Sequence, residues 1–406
     1  MSTTTAQSTS TSHSATPMAN RISIVLLIIC AFVAITTEYV VIGILPQLAS
    51  GLDVSTAQAG QLVSLFAFTV MIFGPFLTAL FASKKRKPLF IILLVIYALS
   101  NALAAMAPNY TVMAIARIIS ALALPVFWGT ASETAVQLAP PEHAGRTAAQ
   151  FYLGSASALL IGLPFGTLIA SHLGWRVIFI VLALFSLAMA VAIKKYMPAI
   201  EKPLKLRFRE QAGILKSRYF LTNLLLSVVV FCAMFAAYTY LSDILESIVE
   251  VPTANVGWWF LAFGAIGLVG NWLGGKFLDR SLLRTTMFFL VALGIGMVGT
   301  TLFAGITVLL WVFLAVWAIA YTALFPVCQV RVTHSARKAK ALAGTMNVSA
   351  TNGGTALGSI VGSGIIAQWG IGVIGIAAAL IAFAGALITY QVIRMKRRRA
   401  FALVRP

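Results

Sequence analysis

Apolar residues in this chain fall into long unbroken runs, interrupted by short polar turns, with neither strand alternation nor a one-sided helical stripe. Each run is roughly 18–25 residues, the length that crosses a ~30 Å hydrocarbon layer at 1.5 Å per residue. Twelve spans are predicted. Six lie near 22–45, 58–82, 88–107, 110–131, 147–170 and 174–193, and six near 219–243, 255–275, 285–305, 308–330, 341–367 and 371–393. The longest loop, 194–218, divides them six and six. The predicted fold is therefore an all-α polytopic membrane protein, with twelve transmembrane helices in two six-helix bundles. The expected organisation is a disordered tail (1–20), an N-terminal bundle (21–193), a cytoplasmic linker (194–218), a C-terminal bundle (219–395) and a basic tail (396–406). Two such halves suit a carrier whose substrate sits between them while their relative tilt opens one side at a time.

Composition removes the soluble alternatives. Of 406 residues 60% are hydrophobic and only 10% charged, with a mean hydropathy of +0.96, so no stretch is polar enough for a second, aqueous domain. Residues 1–20 are Ser/Thr-rich, lack Lys and Arg, and have no apolar centre. They read as a tail and not as a signal peptide. Cys30, Cys232 and Cys328 lie far apart in apolar runs without metal-ligand spacing, as small buried hydrophobes do.

A net charge of +19 would point to nucleic acid in a soluble protein. Here its distribution gives topology instead. With the N-terminus inside, every Lys and Arg except Arg117 and Arg176 falls on the cytoplasmic side, including the Lys84–Lys87 cluster, the linker, Arg331 and the tail. Asp53, Asp243, Glu246 and Glu250 fall outside. This bias predicts both termini in the cytoplasm of a bacterial inner membrane. Anionic lipid on that side accounts for the charge without nucleic acid.

Two ionisable residues lie too deep to be anchors. Glu38 is about 24 Å from the inner end of its span and roughly 12 Å from the outer end, and Arg117 enters its span about 10 Å from the outside. A buried carboxylate costs several kcal/mol unless paired or protonated, so Glu38 fits a proton carrier. Arg117 stays charged and would modulate Glu38 or bind a polar substrate. A static ion pair joining two helices is the structural alternative. The second half has no acid deep in a span, so coupling would rest on Glu38. Glu133 sits at the cytoplasmic end of the fourth span.

The stretches "EYVVIGILPQLASGLDVSTAQAGQLVSLFAF" (38–68), "RIISALALPVFWG" (117–129) and "GLPFG" followed by "LGWRVIFIVLALF" (162–185) resemble the major facilitator superfamily. Within it they are most similar to the bacterial drug:proton antiporter branch, which includes sugar and purine-nucleoside exporters. The likeness covers residues 21–395. The family's loop signature, Gly-x-x-x-Asp-Arg/Lys, is degraded in its first copy, where Gly74 precedes Lys84, Lys85 and Arg86 with no Asp. It is closer in its second, Gly275 to Asp279–Arg280. The resemblance implies a cytoplasmic latch there; read without it, these residues are positive-inside anchors. Gly162, Pro164 and Gly166 are similar to the motif that marks antiporters. Physically, the glycines permit close helix contact and Pro164 removes a backbone hydrogen bond, which bends the helix.

The resemblance further implies that spans one, four, seven and ten line a central path. Phe127, Trp128, Tyr238, Tyr240 and Tyr321 are candidate liners, joined by Asn347 and Asn352 from the eleventh span. Aromatic faces with a few amides suit a neutral, planar or amphipathic ligand. For each ring, lipid-facing packing is the alternative. Asp243, with Glu246, is a candidate outer gate or a solvated loop charge.

The expected function is a proton-coupled efflux antiporter for a sugar, purine nucleoside or drug; a proton-independent facilitator or importer of the same fold stays open. No enzyme is expected, because the four histidines lie in the tail or near loops without an H-x-x-x-H or acidic cluster. No cofactor beyond the coupling proton is expected. The expected partners are the bilayer and one small-molecule substrate, and a single chain suffices for function.

Overall fold

The computed structural model describes residues 17–143, 147, 150, 151, 154, 157–200, 212–278, 281–336 and 340–404, and no strand occurs among them. The helices are α1 (Pro17–Gly43), α2 (Leu45–Gly51), α3 (Thr56–Phe81), α4 (Arg86–Ala105), α5 (Tyr110–Leu138), α6 (Leu163–Leu173), α7 (Trp175–Tyr196), α8 (Arg218–Tyr238), α9 (Leu241–Ser247), α10 (Val256–Leu278), α11 (Leu282–Leu302), α12 (Thr307–Ser335), α13 (Lys340–Trp369) and α14 (Ile374–Val404). Polar caps start three of them: Ser55, Asn109 and Ser217 each accept a hydrogen bond from the backbone N–H three residues on. Gly174 (φ +89°) and Gly370 (φ +78°) make the sharp turns before α7 and α14, in a backbone region that side chains disfavour.

Ten of the described helices are long and apolar enough to cross a membrane, against twelve predicted spans. The fifth span is described only in part, where Ala158–Leu173 is a shorter apolar segment. The eleventh, α13, is a 30-residue helix rich in Gly, Ser, Thr and Asn, which makes it less apolar. Its small residues face backbone. A Cβ on Gly354, Gly358 or Gly362 would meet the carbonyl of Val228, Cys232 or Ala236 on α8. Small residues every fourth position let two helix backbones approach without a hydrophobic driving force between them.

The first and seventh spans are not continuous. α1 breaks at Ile44 (φ −116°, ψ 16°) and α8 at Tyr240 (φ −107°, ψ 16°), each followed by a seven-residue helix, α2 and α9. Each short helix then leads to an acid in left-handed backbone, Asp53 (φ 54°) and Glu250 (φ 58°). The fourth and tenth spans are longer than predicted, 29 residues each as α5 and α12. α5 stops at Leu138, two residues before Pro140, and the internal prolines Pro125 and Pro326 are absorbed. The last helix continues to Val404, past the predicted boundary at 393, because Arg, Lys, Met and Ala favour helix as well as apolar residues do.

α3 packs along α13, α6 against α10, and the short α2 and α9 meet each other. These contacts join the part of the chain before residue 200 to the part after 212.

Candidate functional site

Glu38 and Arg117 are brought together, but not as an ion pair. The Arg117 guanidinium donates to the backbone carbonyls of Thr37 and Glu38, the second at 2.6 Å. Its charge also stands 4.4 Å over the Phe66 ring of α3. Asn101 of α4 donates to the Thr37 hydroxyl at 3.3 Å. The α1 backbone beside Glu38 is thus gripped from two neighbouring helices, while no ion pair ties the carboxylate among the described residues. Glu38 is 8% exposed and Arg117 2%. The carboxylate lies within electrostatic reach of Arg117 and Tyr39, and Tyr97 senses both charges.

Facing this group is an aromatic cluster from the second half of the chain. Tyr238 of α8 stacks on Tyr321 of α12 at 4.2 Å, with Phe235, Phe263 and Phe325 within 6 Å of one or both. Tyr39, next to Glu38, stacks on Phe235 at 5.9 Å and carries the cluster across the two parts of the chain. Tyr321 lies within electrostatic reach of Tyr39 and Glu38. The Tyr97 and Tyr321 hydroxyls are buried without a hydrogen-bond partner among the described residues. A buried hydroxyl left unpaired is costly, so each of these two would gain from a polar partner.

The other predicted liners sit elsewhere. Phe127 packs edge-on against Phe90 at 6.0 Å, inside the α4–α5 core, and Trp128 packs on Phe151 at 5.2 Å. Helix periodicity puts Phe127 about 80° round α5 from Arg117, whereas Trp128, three turns on, returns to the Arg117 face and is taken up by Phe151. Tyr240 is fully buried at the α8 break and donates to the Ser359 carbonyl of α13 at 2.9 Å. Asn347 donates to Gln329 at 2.6 Å, joining α12 to α13, while Asn352 donates to the Val348 carbonyl of its own helix. Asp243 accepts from Ser247 of its own short helix.

Among the loop-motif residues, Lys84 and Lys85 are exposed, and Gly275 has open space where a Cβ would be. Gly74 lies within α3 instead, against Pro125 of α5. Arg86 opens α4 and is buried, donating to Glu133 of α5 at 2.7 Å. Two helices converging at the end of a short turn bury the stem, and the long α5 supplies the acid. Asp279 and Arg280 lie outside the described residues. In the fifth span, a π-helical turn (Ala158–Gly162) precedes Pro164, where the proline cannot donate a backbone hydrogen bond. Gly162 and Gly166 pack on Thr36 and Val40 of α1, which flank Glu38 in the sequence two residues before and two after.

Arg331 escapes a reading by charge pattern, which sets it among the cytoplasmic anchors. It is buried within α12 and donates to the Asn223 carbonyl, the Ser227 hydroxyl (2.9 Å) and the Thr286 hydroxyl. The missed signal was helix length: α12 runs through Pro326 to Ser335, so Arg331 lies within the helix and not in a loop after it.

Four side-chain hydrogen bonds join the two parts of the chain among the described residues. They are Ser242 to the Ile42 carbonyl (2.7 Å), Ser359 to the Gly60 carbonyl (2.8 Å), Ser363 to the Ala57 carbonyl (2.8 Å) and Gln61 to the Ser363 hydroxyl (3.4 Å). All lie near Asp53 and Glu250, at the end of α3 opposite the Lys84–Arg86 turn.

No group of three or more His, Cys, Asp or Glu that could hold a metal ion occurs among the described residues. Known proteins give the frame for this geometry. The chain is 31% identical over 366 residues to the inner membrane transport protein YdhP of Escherichia coli (strain K12), covering 90% of this chain and 94% of that one. It is 30% identical over 354 residues to YfhI of Bacillus subtilis (strain 168), an uncharacterized MFS-type transporter, covering 84% and 86%. Its fold matches a bacterial homolog of the human lysosomal transporter Spinster, solved inward-facing and unoccupied. The TM-score is 0.74 at 15% identity, over 93% of this chain and 97% of that one. Residues 27–349 match the Major Facilitator Superfamily; with relatives at this identity over nearly the full chain, the protein belongs to that family and is a multi-pass small-molecule transporter, not an enzyme.

Proposed function

We propose that this chain is a proton-coupled exporter of a small polar or amphipathic molecule, in the drug:proton antiporter branch of its family. It works from the inner membrane by alternating access between two six-helix halves, with both termini cytoplasmic. The observation that carries the coupling is Glu38. It is a carboxylate buried in the apolar run of α1, held in place through its backbone by Arg117 and without an ion pair among the described residues. A buried acid positioned this way can bind a proton on one side and release it on the other. The paired breaks after α1 and α8 support the two-half reading, as does the contact of α3 with α13 and of α6 with α10. The inner-membrane setting is supported by the name of the YdhP relative. The stacked Tyr238 and Tyr321, with unpartnered hydroxyls on Tyr97 and Tyr321, favour a ligand with a planar or apolar face and hydrogen-bonding edges.

The second reading is a proton-independent facilitator or importer of the same fold. It is favoured by the bonds from Arg117 to the Thr37 and Glu38 carbonyls, which brace α1 against α5 in a way that needs no titration. Flux of a sugar, nucleoside and drug panel in proteoliposomes, with and without a pH gradient, separates the two. Uphill export lost in Glu38→Gln, with exchange retained, supports coupling. Flux that ignores both the gradient and the substitution makes the chain a facilitator.

A further inference from the structure

The four side-chain hydrogen bonds that join the two parts of the chain among the described residues gather at one end, beside Asp53 and Glu250. The geometry points to a serine clasp: Ser359 and Ser363 of α13, keyed by Tyr240, lock the Asp53–Glu250 end of the path against Gly60 and Ala57 of α3, and release of this clasp opens that end. The inference rests on the alternating-access reading above and adds the residues that gate one side of it.

Three features argue for a lock that opens, and against permanent glue. The first is the chemistry of the bonds. Ser359 and Ser363 donate to carbonyls of α3 that can keep their own helical hydrogen bonds, because a carbonyl has two lone pairs. When the helices part, each serine can turn back to the carbonyl four residues earlier on α13, as serines in helices do. Separation therefore strands no buried donor.

The second is shape. A Cβ on Gly60 of α3 would run into the Tyr240 ring, and one on Gly362 of α13 would touch its other edge. Tyr240 thus fills a notch made by one glycine from each part of the chain. Its hydroxyl donates to the Ser359 carbonyl, so the ring is fixed to the same α13 segment that grips α3.

The third is placement. Tyr240 is the residue at which the seventh span breaks, and two residues on, Ser242 bonds the Ile42 carbonyl just before the matching break at Ile44. The clasp is therefore attached to the two breaks, where helix direction can change without unwinding a long helix.

The test reads accessibility without any substrate. In a background with Cys30, Cys232 and Cys328 replaced by Ala, Ser64→Cys serves as a reporter. It lies one turn below Gln61 on α3 and is buried. Labelling by a membrane-impermeant maleimide from the Asp53–Glu250 face should rise roughly tenfold in Ser359→Ala/Ser363→Ala, which lacks three of the four bonds, and also in Gly60→Leu, which expels the Tyr240 ring. Unchanged labelling in the well-folded double variant overturns the clasp. In parallel, Ala57→Cys with Ser363→Cys, joined by a short bifunctional thiosulfonate, should stop flux until reducing agent is added. Full flux through the cross-linked protein overturns the clasp while leaving transport intact. A labelling shift in a chain that carries nothing across the membrane supports the clasp and sinks the transport reading instead.

Discussion

Arg117 holds Glu38 by its backbone carbonyl, at 2.6 Å, and not by its carboxylate. Two charges at matching depth in neighbouring helices invite the reading of a salt bridge. The guanidinium is instead consumed by two carbonyls and a ring face. That leaves the acid positioned yet unneutralised by direct contact, the arrangement a titrating group needs if its charge is to change during a cycle.

Arg117→Lys should retain the fold and lose at least roughly tenfold in flux, since an ammonium cannot reproduce the planar fork that reaches both carbonyls. Arg117→Ala should also unfold more easily, by about 1–3 kcal/mol: it forfeits two charge-assisted hydrogen bonds, partly offset because no charge is then buried. Thermal unfolding in detergent and flux in proteoliposomes check the two effects separately. Undiminished flux in Arg117→Lys would remove the positioning role.

The Arg86–Glu133 pair is asymmetric: the arginine side chain is 0% exposed and the glutamate 33%. Removing the acid strands a buried cation, so Glu133→Gln should destabilise by about 1–3 kcal/mol, discounted for the solvent at the glutamate end. Arg86→Met should cost less, because Glu133 can turn to water. Adding Arg86→Met to Glu133→Gln should recover most of the loss. A double-mutant cycle on unfolding temperature measures this, and purely additive losses would contradict it.

Gly358→Ala should lower the unfolding temperature markedly, because its Cβ would be forced against the Cys232 carbonyl, and backbone cannot step aside as a flexible side chain can. Gly364→Ala on the same helix is the control, with nothing within 4 Å of its Cβ. It should be neutral or slightly stabilising, since alanine favours helix. Equal effects at both positions would mean that close α8–α13 approach is unimportant.

Tyr321→Phe keeps the stack on Tyr238 and deletes a buried hydroxyl that has no partner among the described residues. Stability should hold within about 0.5 kcal/mol or improve. If that hydroxyl meets substrate, KM for the transported compound rises about fivefold, the equivalent of one hydrogen bond. A change in stability without a change in KM would return Tyr321 to a packing role.

The sequence by itself determined the class of molecule. Runs too long and too apolar for water leave the backbone no choice but helix, and the placement of Lys and Arg divides the loops into two kinds. It also picked out Glu38 and Arg117, because a charge within such a run is costly wherever it ends up. Tertiary structure decided what those charges touch. Arg117 and Thr37 are 80 residues apart, and no periodicity says whether a guanidinium will find a carboxylate or a carbonyl. The same limit hid Arg331, whose three acceptors come from two other helices. It also moved Tyr240 from the expected path to the closed end, since only contact with Gly60 and Gly362 shows where its ring goes. Hydropathy is local, a sum over neighbours in the chain. Partnership depends on which helix faces arrive together, and in a protein of helices packed through small residues that is settled by shape.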